Sequence, residues 1–314
     1  MGHKALVFPG QGSQVIGMGK DFYENFKESR LVFEEASDHI HIGLKKLCFD
    51  GPLDELTLTE NLQPALFTTE VAIFTALNSH TELKPKLFAG HSLGEYAALF
   101  AAGVLNISDG ASLTRARGLA MQEAVPAGTG AMAALLGLSA DQVKDLCEKA
   151  TELSGRIVEP ANFNSPGQVV ISGNKYAVDA AGAILKENPE VFKGKFIPLQ
   201  VSAPFHCSLM KPAAEKMGYL LAATKFGDFK TPVLANATAE FYKNKSETAE
   251  LLTKQITGAV QWLQSMEKLQ DLEISELIEV GPGSVLSGLM KRINKNISTK
   301  SISSVKSLKE SFPS

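Results

Sequence analysis

The chain of 314 residues contains few cysteines, no long hydrophobic run and no block of basic residues. Its three cysteines form no C-x-x-C pair, which argues against a disulfide framework and favours a reducing compartment. No apolar run approaches the ~20 residues that span a bilayer. The apolar run at the N-terminus is also too short for a signal peptide. We therefore expect a cytoplasmic protein with no membrane partner.

The net charge is small, and the familiar metal-binding motifs are absent from the sequence. The formal net charge is −3 and 21% of the residues are charged, which argues against nucleic acid as a partner. There is no H-E-x-x-H motif, and His39 and His41, two residues apart, would not share one face of a helix. We therefore expect no metal site. The hydrophobic content of 44% is ordinary for a globular protein, and the length allows two domains.

Alternating strand and helix patterns predict an α/β fold with a mainly parallel sheet. The first strand is expected over 4–8 and a helix over 21–36, and Gln63-Pro64 is expected to open a long apolar helix.

From residue 131 the predicted order is strand, helix, strand, strand, helix, strand, which is the ferredoxin-like unit. Ser139-Ala140-Asp141-Gln142 fits a capping box, which predicts the start of its first helix. This predicts a small domain over 127–199 inserted into a large domain that comprises 1–126 and 200–314. The residues from about Leu308 are expected to be frayed.

The stretch Gly90-His91-Ser92-Leu93-Gly94 fits the G-x-S-x-G nucleophile elbow. A short apolar run precedes it and a run of helix formers follows it, which is the strand–turn–helix context that this motif requires. Glycines on either side of the serine allow neighbouring backbone to approach closely. The sequence therefore predicts Ser92 as the nucleophile of an acyl-transfer reaction.

Two histidines are candidates for the base that activates Ser92. His91 adjoins the serine, so its side chain is expected to point elsewhere on the turn. His206 follows Pro204 at the junction between a loop and a helix, where a rigid scaffold can present a functional side chain. A histidine at such a junction is often structural, so both a catalytic and a structural interpretation stay open from the spacing alone.

Arg117 is the only charge on an apolar helical stripe with Leu113 and Met121. A charge on such a face is costly unless it is paired. One interpretation is a buried salt bridge with a residue of the sheet. The other is that the partner is a substrate carboxylate, which a guanidinium binds through two hydrogen bonds.

The turn Gly10-Gln11-Gly12 follows the first predicted strand. It resembles the start of a dinucleotide fingerprint, but Val15 stands where the next glycine would be required. We favour a different use, in which the backbone N–H groups of Gln11 and Leu93 form an oxyanion hole.

Together these segments resemble the malonyl-CoA:acyl carrier protein transacylases of bacterial fatty-acid synthesis. The resemblance covers nearly the whole chain. The matching segments are Phe8-Pro9-Gly10-Gln11-Gly12-Ser13-Gln14, Gly90-His91-Ser92-Leu93-Gly94-Glu95, Arg117, Ala161-Asn162-Phe163-Asn164-Ser165-Pro166-Gly167-Gln168, Pro204-Phe205-His206 and Glu279-Val280-Gly281-Pro282-Gly283. The resemblance implies an α/β hydrolase-like large domain, with Ser92 as nucleophile and His206 as base.

The same resemblance implies roles for further residues. Arg117 would bind the malonyl carboxylate, and the N–H groups of Gln11 and Leu93 would bind the oxyanion. A backbone carbonyl at Gln255, instead of an acidic side chain, would orient His206. Three residues would belong to the acyl-binding cleft: Met121, Asn162 and Phe205, whose ring would crowd an α-methyl branch.

The implied reaction is a ping-pong transfer of malonyl from malonyl-CoA to the phosphopantetheine thiol of acyl carrier protein. It needs no metal and no cofactor beyond the thioester substrate, and a monomer is expected. Three alternatives remain: a serine thioesterase, a stand-alone acyltransferase of a polyketide synthase, and a non-catalytic carrier-docking module. A thioesterase would use an acidic residue to orient its base and would have no need of Arg117.

Overall fold

A computed structural model describes residues 2–313 and shows strands and helices alternating along the chain. The strands are β1 (His3–Phe8), β2 (Leu87–Gly90), β3 (Gly130–Leu136), β4 (Val158–Ser165), β5 (Gln168–Asn174), β6 (Lys195–Pro198), β7 (Val233–Leu234), β8 (Ile274–Val280) and β9 (Ser298–Ile302).

The helices are α1 (Lys20–Asn25), α2 (Lys27–Ile40), α3 (Leu44–Asp50), α4 (Leu53–Thr57), α5 (Thr59–His80), α6 (Gly94–Ala101), α7 (Ile107–Glu123), α8 (Ala140–Ser154), α9 (Lys175–Glu187), α10 (Lys211–Ala223), α11 (Thr248–Thr257), α12 (Trp262–Asp271), α13 (Val285–Ile293) and α14 (Val305–Ser311). Within residues 2–313, none of them has both the length and the apolar character needed to cross a membrane.

Five parallel strands in the order β7-β2-β1-β8-β9 form the larger sheet. Because side chains alternate along a strand, Leu6 and Phe8 of β1 pack into one hydrophobic cluster and Ala5 and Val7 into another on the opposite face. Helices therefore cover both faces, as the alternation along the sequence predicted. The carboxyl ends of β1 and β2 lie side by side, which brings together the loops that follow them.

Four antiparallel strands in the order β4-β5-β3-β6 form a second sheet. Helices α8 and α9 pack against one face of it and share its hydrophobic cluster. The predicted capping box is present, because the Ser139 hydroxyl accepts from Gln142 N–H and the Gln142 side chain accepts from Ser139 N–H. The second sheet is joined to the rest by hydrogen bonds between β4 and Val260, just before α12.

Helix α5 begins earlier than predicted. The expectation that Gln63-Pro64 opens this helix is wrong, because the N–H groups of Asn61 and Leu62 already donate to the Leu58 carbonyl. A proline inside a helix removes one backbone hydrogen bond. Burial outweighs that loss here, since most of α5, including Pro64 itself, is packed in the core.

Two other expectations about the helices are wrong. The helix predicted over 21–36 is two helices, because Phe26 between α1 and α2 has an extended backbone and stacks on Phe22. The C-terminal residues are also ordered in β9 and α14. There Leu308 is buried, and Asp21 accepts a hydrogen bond of 2.6 Å from the Val305 N–H at the start of α14.

Candidate active site

The nucleophile turn lies between β2 and α6 and is held in a strained shape. Ser92 has a φ of 54°, in the left-handed region that residues with a Cβ rarely adopt. Two glycines make the turn possible. A Cβ on Gly90 would lie 1.9 Å from Gly94, and a Cβ on Gly94 would lie 2.1 Å from the Phe8 carbonyl oxygen. The turn therefore packs directly on β1, with Ser92 at its tip.

His206 is within hydrogen-bond distance of the nucleophile. Its Nε2 atom lies 2.7 Å from Ser92 Oγ, and its Nδ1 atom lies 2.8 Å from the Gln255 carbonyl oxygen. Gln255 is in the last turn of α11, where carbonyl groups lack partners within the helix. The imidazole satisfies one of these carbonyls, so the Nδ1 atom carries the proton and Nε2 is free to accept one from Ser92.

Burial keeps the His206 imidazole neutral. Burial, together with the nearby positive charge of Arg117, lowers the pKa of His206 to about 3. Hydrogen bonding to the Gln255 carbonyl opposes this shift without reversing it. A neutral imidazole next to a serine hydroxyl is the form that a general base needs.

His91 is directed away from the serine hydroxyl. Its Nε2 atom lies 2.8 Å from Asn164 Oδ1, and its ring packs 5.4 Å from that of Trp262. The expected separation of roles between the two histidines therefore agrees with their positions.

Arg117 of α7 is buried and its guanidinium faces the nucleophile. Its Nη2 atom donates to Ser92 Oγ at 3.1 Å and to Gln255 Oε1 at 2.9 Å, and Nη1 donates to Gln63 Oε1 at 2.7 Å. The Nε–H group has no partner. Within residues 2–313 no carboxylate lies within 4.0 Å to form an ion pair with it. The interpretation of Arg117 as half of a buried salt bridge with a sheet residue is therefore wrong.

A cavity of about 350 Å³ opens above Ser92 between the two sheets. Every residue predicted for the acyl-binding cleft lines it, as do the two predicted oxyanion donors: Gln11, Leu93, Met121, Asn162 and Phe205. The N–H groups of Gln11 and Leu93 donate to no other group in the described part of the chain. They are free to bind an oxygen atom of a reacting group.

This arrangement can be compared with known proteins. A sequence model of the family described as "Acyl transferase domain" matches residues 5–310. The chain belongs to the acyl transferase family.

Relatives of this acyl transferase carry more specific names. The malonyl CoA-acyl carrier protein transacylase of Bacillus subtilis (strain 168) is 45% identical over 299 residues, which is 95% of this chain and 93% of the relative. The crystal structure of the transacylase of that name from Clostridium perfringens has a TM-score of 0.93 and 41% identity, covering 98% of this chain and 96% of that one.

A third relative was solved with a partner. It is the malonyl-transacylase in a complex with a type II PKS acyl-carrier protein, with a TM-score of 0.94 and 40% identity over 99% of both chains.

Sequence reasoning missed the polar residues that support the site of this acyl transferase. Asn236 clamps the nucleophile turn, because its Oδ1 accepts from Ser92 N–H and its Nδ2 donates to the Gly90 carbonyl, both at 2.6 Å. Gln63 is the acceptor for Arg117. Their only signal in the sequence is polarity within a buried, apolar segment.

Glu95 is the other supporting residue, and its carboxylate is fully buried behind the nucleophile turn. Burial raises the pKa of Glu95 to about 7, while hydrogen bonds and the charge of Arg117 oppose the rise. Glu95 ends one of the segments on which the family resemblance depends, but that resemblance implied no role for it.

No group of three or more metal-ligating side chains is present in residues 2–313. The three cysteines are free and buried, and burial raises the pKa of Cys207, next to the base, to about 11. That thiol is therefore protonated at neutral pH and is a poor nucleophile.

Proposed function

We propose that this acyl transferase moves a malonyl group from malonyl-CoA to the phosphopantetheine thiol of acyl carrier protein and so supplies fatty-acid elongation. One observation carries the proposal: Ser92 Oγ lies within hydrogen-bond distance of both a neutral imidazole and a guanidinium that has no carboxylate partner. The first group activates the serine, and the second binds an acyl group that ends in a carboxylate. The names of the relatives support the same reaction.

In the first half-reaction, His206 Nε2 takes the proton of the Ser92 hydroxyl as Oγ attacks the thioester carbonyl carbon. The carbonyl oxygen becomes an oxyanion and accepts from the free N–H groups of Gln11 and Leu93. The C–S bond then breaks, and the imidazolium returns its proton to the coenzyme A sulfur. Malonyl remains as an ester on Ser92.

In the second half-reaction the thiol of the carrier's phosphopantetheine takes the place of coenzyme A. His206 accepts the thiol proton, the sulfur attacks the ester carbonyl, and the oxyanion forms again on the same two N–H groups. The C–O bond breaks and His206 returns the proton to Ser92 Oγ. One base serves both directions because malonyl leaves one thiol and is accepted by another, so the second half-reaction reverses the steps of the first.

Arg117 selects the acyl group in this scheme. The glutamine side chains at 63 and 255 already accept from its two terminal nitrogens, so the guanidinium is oriented before substrate arrives. A malonyl carboxylate would pair directly with this guanidinium. Met121, Asn162 and Phe205 line the acyl cavity, and Phe205 disfavours an α-methyl branch by about 1–3 kcal/mol.

A serine thioesterase is the less favoured candidate. The base of such an enzyme is oriented by an acidic side chain, whereas His206 is oriented by a backbone carbonyl. A thioesterase would also have no need of Arg117, because the guanidinium does not help water to attack the ester. The stand-alone acyltransferase of a polyketide synthase performs the same chemistry on a different carrier, and the relative solved with a PKS carrier keeps it as the second candidate.

We further propose the division of the chain into two domains. The strand order β4-β5-β3-β6 agrees with a ferredoxin-like insert over 127–199. The parallel sheet, with a nucleophile elbow after β2, agrees with an α/β hydrolase-like large domain formed by 1–126 and 200–314. The proposal extends to a cytoplasmic monomer whose partners are malonyl-CoA and carrier protein. It includes no cofactor, metal, membrane or nucleic-acid partner.

The test is intact mass spectrometry after incubation with malonyl-CoA. We expect one malonyl adduct located on Ser92, discharged by fatty-acid carrier protein much faster than by water. Rapid hydrolysis without transfer would identify a thioesterase. Discharge by a polyketide carrier in preference to a fatty-acid carrier would favour the second candidate.

A further inference from the structure

The buried carboxylate of Glu95 lies behind the reacting groups without touching them. Its Oε1 atom accepts from the Tyr242 hydroxyl. Its Oε2 atom accepts from Gln255 Nε2 at 2.7 Å and from Asn236 N–H at 3.2 Å. The reaction steps above do not use this carboxylate, yet removing it would leave buried donors without a partner, which is costly.

Gln255 connects this carboxylate to Arg117, to the backbone of the nucleophile turn and to His206. Its Oε1 atom accepts from Arg117 Nη2 at 2.9 Å, and its Nε2 atom also donates to the Ser92 carbonyl oxygen at 2.8 Å. Its own backbone carbonyl accepts from His206 Nδ1 at 2.8 Å. One residue therefore holds the acyl-binding cation, the nucleophile turn and the base.

The orientation of the Gln255 side-chain amide depends on which groups contact its oxygen and its NH₂ group. All three partners of the Glu95 carboxyl group donate to it, which favours its ionised form. An ionised carboxylate can only accept, and a guanidinium can only donate. With Glu95 at one end, the amide must present its NH₂ group there and its oxygen to Arg117. If the carboxylate were absent, the NH₂ end would lose its charged partner and the amide could rotate.

We propose that Glu95 is a positioning residue for malonyl transfer, acting on Arg117 and His206 through Gln255. This proposal rests on the proposed malonyl transfer. The negative charge of Glu95 and the positive charge of Arg117 also attract each other across the Gln255 amide. The hydrogen bonds that Glu95 accepts, and to a smaller extent this attraction, hold the pKa of Glu95 below the value that burial alone would give.

A double-mutant cycle tests the proposal. The single variants are Glu95→Ala, Glu95→Gln and Gln255→Ala. Each of the two Glu95 changes is also combined with Gln255→Ala. We expect Glu95→Ala to lower kcat/KM for malonyl-CoA by about 10- to 100-fold, because a buried hydrogen bond to a charged group is lost. Glu95→Gln should cost about three- to tenfold, since an amide oxygen still accepts from Gln255.

In the Gln255→Ala background either change at Glu95 should lower kcat/KM by less than about twofold, because the connecting side chain is already absent. If the losses in kcat/KM caused by the Glu95 and Gln255 changes simply multiply in the double variant, the proposal is overturned. A loss of thermal stability with no change in kcat/KM would also overturn it. If Glu95→Ala does not fold, the cycle made with Glu95→Gln answers the same question.

Tyr242→Phe is the matched control. It removes one donor from the same carboxylate and leaves the contact with Gln255 intact. We expect it to lower the midpoint of thermal unfolding but to change kcat/KM by less than about threefold, the scale of a neutral hydrogen bond lost at a distance. A loss as large as that of Glu95→Ala would show that the effect does not run through Gln255 and would overturn the proposal.

The wild-type protein supplies the remaining comparison. Its malonyl adduct on Ser92 is measured in the same preparation. If no adduct forms, malonyl transfer itself is wrong. If the adduct forms and the cycle shows no coupling, only the role of Glu95 is wrong.

Discussion

Ser92 and His206 meet at 2.7 Å, and both hold a left-handed backbone, with φ angles of 54° and 59°. Such a conformation costs a residue with a Cβ roughly 1–2 kcal/mol. It persists only where the surroundings fix it. Here Asn236 binds the Ser92 N–H, and the Gln255 carbonyl binds the His206 imidazole. The reacting pair is thus aligned by residues that do not react.

Replacing the nucleophile should remove the reaction while leaving the fold. We expect Ser92→Ala to form no malonyl adduct and to lower the transfer rate by at least about 10³-fold, because no other group can carry the ester. Intact mass and a carrier-loading assay measure both. Circular dichroism should be unchanged, and normal turnover in this variant would contradict the mechanism.

Arg117→Ala should change which acyl group is preferred. Without the guanidinium the malonyl carboxylate is desolvated and unpaired, so we expect the ratio of kcat/KM for malonyl-CoA to that for acetyl-CoA to fall by about 10²-fold. Arg115→Ala on the same helix is the control, because Arg115 contacts Asn61 and Glu60 outside the cavity. An unchanged ratio in the Arg117 variant would assign that residue to structure.

The pH dependence should report the charge of Arg117. The base must be neutral, and the lowered pKa of His206 keeps it neutral well below pH 6.5. Removing the cation of Arg117 raises that pKa, so activity should decline at a higher pH in Arg117→Ala than in the wild type. Rates of Ser92 acylation by acetyl-CoA, taken from about pH 3 to about pH 8, locate the acid limb of each protein. Coincident acid limbs would contradict it.

Asn236→Ala should weaken both the fold and the reaction. It leaves the Ser92 N–H and the Gly90 carbonyl without their partner, so we expect a loss of about 2–4 kcal/mol in the free energy of unfolding. The transfer rate should fall with it as the turn loosens. Asn244→Ala is the control, since Asn244 caps an exposed turn and should cost about 1 kcal/mol with no change in rate. Denaturant unfolding compares the two, and equal losses would argue against the clamp.

Gly94→Ala should prevent the nucleophile turn from packing on β1, because its Cβ would lie 2.1 Å from a backbone oxygen of Phe8. We expect a loss of more than about 4 kcal/mol or failure to fold. Gly288→Ala is the opposite case. Gly288 lies inside α13 with open space around it, so alanine should stabilise the helix by up to about 1 kcal/mol. Thermal unfolding of both variants checks the contrast.

The sequence predicted the residues that react better than the buried amides that hold them in position. Ser92 stood out because its flanking glycines and adjoining strand and helix are local features. Gln63 and Asn236 lie far from it in sequence, at distances of 29 and 144 residues (92 − 63 and 236 − 92). Nothing local distinguishes them from other buried amides. Their roles follow from packing that brings α5 and the end of β7 to the nucleophile turn.

The fold was predictable where a pattern repeats and not where packing overrides it. Alternating strands and helices predicted the parallel sheet, and the capping box at Ser139 predicted the start of α8. Pro64 misled because the preference of proline for the first turn is local, whereas most of α5, on both sides of Pro64, is held in place by burial. The terminal helix α14 was missed because the Asp21 side chain that holds its start comes from the other end of the chain.

The orientation of the base by the main chain affects how this site tolerates mutation. Every amino acid carries a backbone carbonyl, so no substitution at position 255 can delete the group that His206 contacts. What must be preserved is the path of the last turn of α11. A substitution of Gln255 would lose the side-chain contacts with Arg117 and Glu95. The backbone carbonyl that accepts from His206 would remain as long as α11 keeps its course.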